Sequence, residues 1–216
     1  MKLEHGTPRE IEGESMRIIG RELEAMGIVL PAGCEAVVKR AIHTTADFDY
    51  ARNLRFTPGA VEAGVAALRA GTALGTDTNM ALSGVNRGAC EQLGVERFCY
   101  MADPQVAERA RAERTTRAAA AVDCWASEHP AGIFAVGNAP TALLRLAECM
   151  EAGTLRPALV IGAPVGFVNV VESKERIWSV CQDLDVPAIV AMGRKGGSTV
   201  AAAVCNALLY QAAGLR

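Results

Sequence analysis

His43 closes an apolar helical stretch and leads into Thr44-Thr45-Ala46-Asp47-Phe48-Asp49-Tyr50, a segment dense in hydroxyls and carboxylates. Imidazole titrates near neutrality, so a partly desolvated histidine beside a carboxylate can give or take a proton. A histidine at a helix C-terminus is also favoured by the macrodipole alone, with no chemistry implied. The second candidate is Gly193-Arg194-Lys195-Gly196-Gly197-Ser198-Thr199, which joins glycines and two cations to the entry of an Ala-rich helix. Glycine lets a ligand approach the backbone, and the free N–H groups of a helix N-terminus attract anions. Lys195 precedes the glycine pair, so this is not a Walker loop, and no Gly-x-Gly-x-x-Gly occupies the first strand-to-helix turn. A generic anion pocket and a plain tight turn both account for it. Glu172 and Lys174 open another helix beside Ser173, which reads as its cap. Arg117 precedes Ala118-Ala119-Ala120-Ala121-Val122, a run small enough for close helix packing, and this directs it toward a cleft or a subunit interface. Arg109, Arg111 and Arg114 read as a solvated face of the same helix. His5 and His129 read as surface residues.

These residues need a scaffold. Thr7-Pro8-Arg9-Glu10 has the form of a capping box with proline at the first helical position, and Ile11, Ile18, Ile19, Leu23 and Met26 continue on one helical face up to Gly27. A second helix spans Pro31 to Ile42 and a third starts at Thr57-Pro58 and closes at Gly71, so residues 1–71 form a helical N-terminal portion. Residues 72–216 then alternate short apolar runs with helical periods. The runs are Thr72 to Thr76, Val95 to Met101, Gly132 to Val136, Ala158 to Ile161 and Ala188 to Met192. Helices begin between them at Asp103-Pro104, Pro140-Thr141 and Ser173. This pattern predicts an α/β fold in one domain: a mainly parallel five-stranded sheet with helices on both faces, Rossmann-like, behind the N-terminal helices. Ligands of such sheets bind at the carboxyl ends of the strands, where Asp77-Thr78-Asn79, Gly137-Asn138-Ala139-Pro140-Thr141, Gly162 to Gly166 and Gly193 to Thr199 all fall.

Composition narrows the chemistry. The 22 Lys and Arg against 24 Asp and Glu give a formal net charge of -2, so no global positive field holds a nucleic acid or an anionic membrane. No signal-like apolar region or membrane span is evident, which predicts a cytoplasmic protein. Seven cysteines without a Cys-x-x-Cys pair read as small buried hydrophobes in a reducing compartment, with no metal site.

Four segments, Ile42 to Tyr50, Gly137 to Leu143, Gly162 to Val168 with Glu172-Ser173-Lys174, and Gly193 to Ser198, together resemble the precorrin-8X methylmutase family of cobalamin biosynthesis. The resemblance covers nearly the whole chain, in family order and at family spacing. It implies an isomerase that moves a methyl group from C-11 to C-12 of a corrin precursor by a sigmatropic shift, needing no cofactor. His43 takes the place of the histidine that protonates or hydrogen-bonds the macrocycle. The substrate is a polycarboxylate tetrapyrrole, so Arg117, Lys174, Arg194 and Lys195 become its carboxylate partners. Ser15, Thr44, Asn138 and Ser198 become hydrogen-bonding residues, and Thr45, Asp47 and Glu172 complete the set. Asp47 is placed to raise the pKa of His43. The resemblance further implies a homodimer, and the Thr44 to Asp49 segment looks more like members acting on the cobalt-containing intermediate, with cobalt carried by the substrate. A non-catalytic corrinoid carrier and a phosphometabolite enzyme are the rival readings.

Overall fold

A computed structural model describes residues 6–215 of the chain; the expectation for His5 lies outside the described residues. The N-terminal capping box forms as the sequence predicts. Thr7 and Glu10 exchange side-chain-to-backbone hydrogen bonds at the start of α1 (Pro8–Ala25). Then follow α2 (Glu35–Thr45), α3 (Tyr50–Asn53), β1 (Leu54–Phe56), α4 (Ala60–Arg69), β2 (Leu74–Thr76), α5 (Asn79–Gly84), α6 (Arg87–Leu93) and β3 (Arg97–Phe98). A 3-10 turn at Tyr100–Ala102 leads to α7 (Pro104–Ala112), α8 (Arg117–Glu128), β4 (Ile133–Val136), α9 (Pro140–Glu151), β5 (Leu159–Gly162), α10 (Val170–Asp183), β6 (Ala188–Ala191) and α11 (Ser198–Ala213).

The sheet has six strands in the order β1-β6-β5-β4-β2-β3, all parallel except β1. The sixth strand corrects the expectation of five and of a purely helical segment before residue 72. Leu54-Arg55-Phe56 is too short to show a period of its own, and it pairs antiparallel with β6 in the register Leu54 to Ala191 and Phe56 to Ile189. Side chains alternate between the two faces, as the pleat requires. Ile133, Ala135, Leu159, Ile161 and Ile189 enter one core with α2, α4 and α11, whereas Phe134, Val136, Val160 and Val190 enter another with α8, α9 and α10. α11 is buried along most of its length, and its alanines let α2 and α4 lie close against it.

Two helix boundaries also differ from expectation. The helix starting at Asp103 is not continuous: Arg114 adopts φ 54°, and the Thr116 side chain accepts from Ala119 N to start α8 afresh. α10 begins at Val170, behind Asn169 at φ 57°, so Ser173 is not its cap. Ser173 is buried inside the first turn and donates to Val170 O.

Candidate active site

The carboxyl ends of the parallel strands share one edge of the sheet. Because β1 runs the other way, the chain that enters it, from the end of α2 through α3, arrives at that same edge. The hydrogen bond from Met192 N to Asn53 O, 2.8 Å, joins the two there.

At this edge a carboxylate organises the backbone. Asp77, only 1% exposed after β2, accepts from Gly137 N at 2.7 Å and from Asn138 N and Ala139 N at 2.8 Å each. Burial pushes its carboxyl up from the usual range, and the three N–H donors oppose that by favouring the ionised form. These three bonds pin the loop before α9, in which Asn138 is exposed. Gly137 is required because an added Cβ would stand 2.6 Å from Ser198 Cα. Ser198 Oγ and Thr78 Oγ1 are 2.8 Å apart, so the entry of α11 is tied to the loop after β2. Thr116 Oγ1 donates to Thr141 Oγ1 at 2.9 Å, which sets the exposed Arg117, first residue of α8, beside the Asn138 loop.

The loops after β5 and β6 are locked to each other. A Cβ on Gly196 would meet Ala163 O at 2.2 Å, and Gly197 N donates to Ala163 O at 2.8 Å. Lys174 reaches from α10 beneath them. Its Nζ donates to Gly193 O and Lys195 O, both at 2.8 Å, and the residue is 0% exposed. This corrects its assignment as a rim cation: Lys174 holds loop carbonyls, and burial lowers its pKa to about 8. Glu172 is exposed in the first turn of the same helix, and Arg194 is exposed at the edge.

Lys195 connects this edge to the histidine segment. Its Nζ contacts Asp47 Oδ2 and Asp49 Oδ2, each at 2.6 Å. The two carboxylates raise the lysine's pKa, and the ammonium lowers that of Asp47. Asp47 is therefore committed to Lys195 and not to His43, which corrects the expected pairing. His43 instead follows Arg40 by three residues on α2, and its pKa is lowered, first by burial and then by the Arg40 charge. Arg40 forms an ion pair with Glu12 of α1 and lies over the Tyr210 ring, 5.0 Å from its centroid. Pro8, Ile11, Glu12, Arg40 and His43 line a groove of about 400 Å³ between α1 and α2. Ser15 is half-buried one turn along α1, with its hydroxyl donating to Ile11 O. Thr44 is exposed beside His43, while Thr45 turns inward and donates to Ala41 O.

The structure thus brings Asp47, Lys195, Lys174, Ser198 and Asn138 to one edge and leaves His43 on the adjoining α1–α2 groove, with Ser15 further along α1 and outside the groove lining. Sequence reasoning did not single out Asp77, Thr78, Arg40 or Glu12 as site residues. Asp77 and Thr78 follow a strand run and carried a position signal, and Arg40 stands at helical spacing from His43. Glu12 carried none, because its partner lies on another helix. Such an edge can bind anions by its exposed cations, while the groove offers an imidazole of lowered pKa. Five of the seven free cysteines are buried, and burial pushes Cys205 up to about 12. Among the described residues no three His, Cys, Asp or Glu side chains are grouped to hold a metal ion, and no helix is long and apolar enough to cross a membrane.

Comparison with known proteins agrees along most of the chain. The profile of the precorrin-8X methylmutase family matches residues 10–211. The cobalt-precorrin-8 methylmutase of Salmonella typhimurium is 44% identical over 207 residues, covering 94% of this chain and 95% of that one. The precorrin-8X methylmutase of Pseudomonas aeruginosa is 39% identical over 195 residues, covering 90% and 91%. The solved structure of precorrin-8x methyl mutase from Thermus thermophilus superposes with a TM-score of 0.83 at 41% identity, covering 94% of this chain and 98% of that one. The chain therefore belongs to the precorrin-8X methylmutase family and is an isomerase of cobalamin biosynthesis.

Proposed function

We propose that the protein converts cobalt-precorrin-8 to cobyrinate by moving one methyl group from C-11 to C-12, with His43 as hydrogen-bond donor to the macrocycle. One carbon–carbon bond breaks and one forms on the same molecule, so the reaction is redox-neutral and calls for no cofactor. Cobalt belongs to the substrate. The names of the relatives at 42% and 44% identity, both cobalt-precorrin-8 methylmutases, support the cobalt form.

The observation that carries the role of His43 is its place on the open α1–α2 groove, exposed and with a lowered pKa. It meets substrate as a neutral imidazole, able to donate one hydrogen bond to electron density that shifts as the methyl migrates. The exposed cations Arg117 and Arg194 suit the peripheral carboxylates, as does Lys195 once it exchanges Asp47 and Asp49 for substrate. Positioning and exclusion of water supply the rest.

A shallow groove on one chain covers one side of a flat ring. A homodimer supplies a second wall, and Ile11, Ile18 and Met26, exposed on one face of α1, give it apolar surface. Seven free thiols fit the cytoplasm.

The test is an anaerobic absorbance time course with precorrin-8X and, separately, with its cobalt form, since migration alters the conjugated chromophore. Rapid conversion of the cobalt form is expected. Conversion of the metal-free form alone would reverse the substrate assignment, and binding of both without a spectral change would make the protein a carrier.

A further inference from the structure

We propose that the exposed ring of Phe167, with the Arg194 guanidinium over it, is a stacking surface for the substrate macrocycle, and that Arg194 meets a carboxylate at the ring's rim. The inference rests on the reading above of a polycarboxylate tetrapyrrole substrate and adds a binding residue, Phe167, to it.

Three residues of the loop after β5 turn apolar side chains outward: Val165, Phe167 and Val168, the last two 83% and 78% exposed. Single exposed hydrophobics are ordinary, but a contiguous group beside a ligand edge marks a surface that something covers. The loop is held in place. Gly166 N donates to Arg194 O at 3.2 Å, and the bond from Gly197 N to Ala163 O fixes its base. Lys174 secures the facing loop through two carbonyls.

The pairing with Arg194 defines what fits. Its guanidinium stands 5.5 Å from the Phe167 ring centroid, and among the described residues no carboxylate forms an ion pair with it. A guanidinium lying on an aromatic face keeps its edge N–H groups free for bidentate contact with a carboxylate. An apolar, flat ligand rimmed by carboxylates satisfies both groups together: its face covers the phenyl and its edge meets the cation. Stacking of this kind contacts ground state and transition state alike, so it acts on binding rather than on the chemical step.

The experiment uses steady-state turnover of cobalt-precorrin-8 and equilibrium titration with cobyrinate, followed by absorbance, for wild type, Phe167→Ala, Phe167→Tyr and Arg194→Ala. Phe167→Ala is expected to raise KM and weaken cobyrinate binding by about tenfold or more, a typical effect of losing an aromatic stack, with kcat nearly unchanged. Phe167→Tyr keeps wild-type affinity, and Arg194→Ala weakens binding and lessens its salt dependence. Wild-type KM and affinity in Phe167→Ala, beside an active wild type, would overturn the inference. Loss of affinity that coincides with dissociation of Phe167→Ala into monomers on sedimentation would also overturn it, because a second copy would then be what covers the ring. A wild type that converts neither substrate form refutes the proposed function itself and is thereby distinguished from both.

Discussion

Along the sheet edge, the buried charges are spent on the backbone. Around His43, the charged side chains are spent on one another. Asp77 takes three loop N–H groups and Lys174 takes two loop carbonyls, both from positions sealed from water. Arg40 with Glu12, and Lys195 with Asp47 and Asp49, are ion pairs between side chains of different segments, and the latter is open to solvent. A buried charge bonded to the backbone fixes a loop permanently, because removing it strands several groups at once. An exposed ion pair contributes little to stability, which suits the proposed exchange of Asp47 and Asp49 for a substrate carboxylate at Lys195. The edge is thus a braced cradle, and the N-terminal segment carries the groups that the proposed function asks to respond to substrate.

Four substitutions test this contrast. His43→Ala is expected to lower kcat by a factor of hundreds, about 3 kcal/mol or more, with the denaturation midpoint unchanged. In the wild type, kcat/KM is expected to fall as pH drops through a value below 6.5, because the proposed function uses the neutral form of His43 and its pKa is lowered; a rate that rises on acidification would assign the imidazolium instead. Asp77→Asn reverses the pattern: chemical denaturation should show a loss of about 2–4 kcal/mol, since one amide oxygen cannot serve three donors and its NH2 opposes them.

Lys174→Met comes third, at about 1–2 kcal/mol near pH 7 from two stranded carbonyls. Its signature is a pH slope. The folded pKa of about 8 lies below the free value of 10.5, so between them the unfolded chain binds more protons and wild-type stability rises with pH. Urea melts across that window should show a rise in the wild type that Lys174→Met lacks; parallel curves would place the ammonium in water. Smallest is Lys195→Gln, for which we expect no measurable change in stability and a KM raised only a few-fold, about the weight of one exposed charge. A large stability loss there would erase the distinction between cradle and responsive segment.

How legible these parts were depended on the range of the interactions. The capping box at Thr7, the alternation from β2 onward and the placement of loops at strand ends are local patterns and formed, with the helix boundaries at Arg114 and Val170 displaced from where the sequence indicated. β1 was invisible, since three residues have no period and its pairing with β6 spans more than a hundred positions. Lys174 reads as an exposed helix-start cation until its depth is known. The partners of His43 were likewise misjudged: Asp47 is near in sequence, but Lys195 captures it, and burial, followed by the charge of Arg40 one turn back, lowers the imidazole's pKa.

The alternating α/β order, the polar loops after the strands and the family motifs are written in the chain, because helical and strand periods and turn chemistry act between neighbours. Which cations face solvent and which are buried, and that the His43 segment meets the sheet edge at all, came from long-range packing. The reason is topological: the antiparallel β1 carries residues 46–53 back to the carboxyl ends of strands far away in sequence, and each charge's role follows from its depth and partners there.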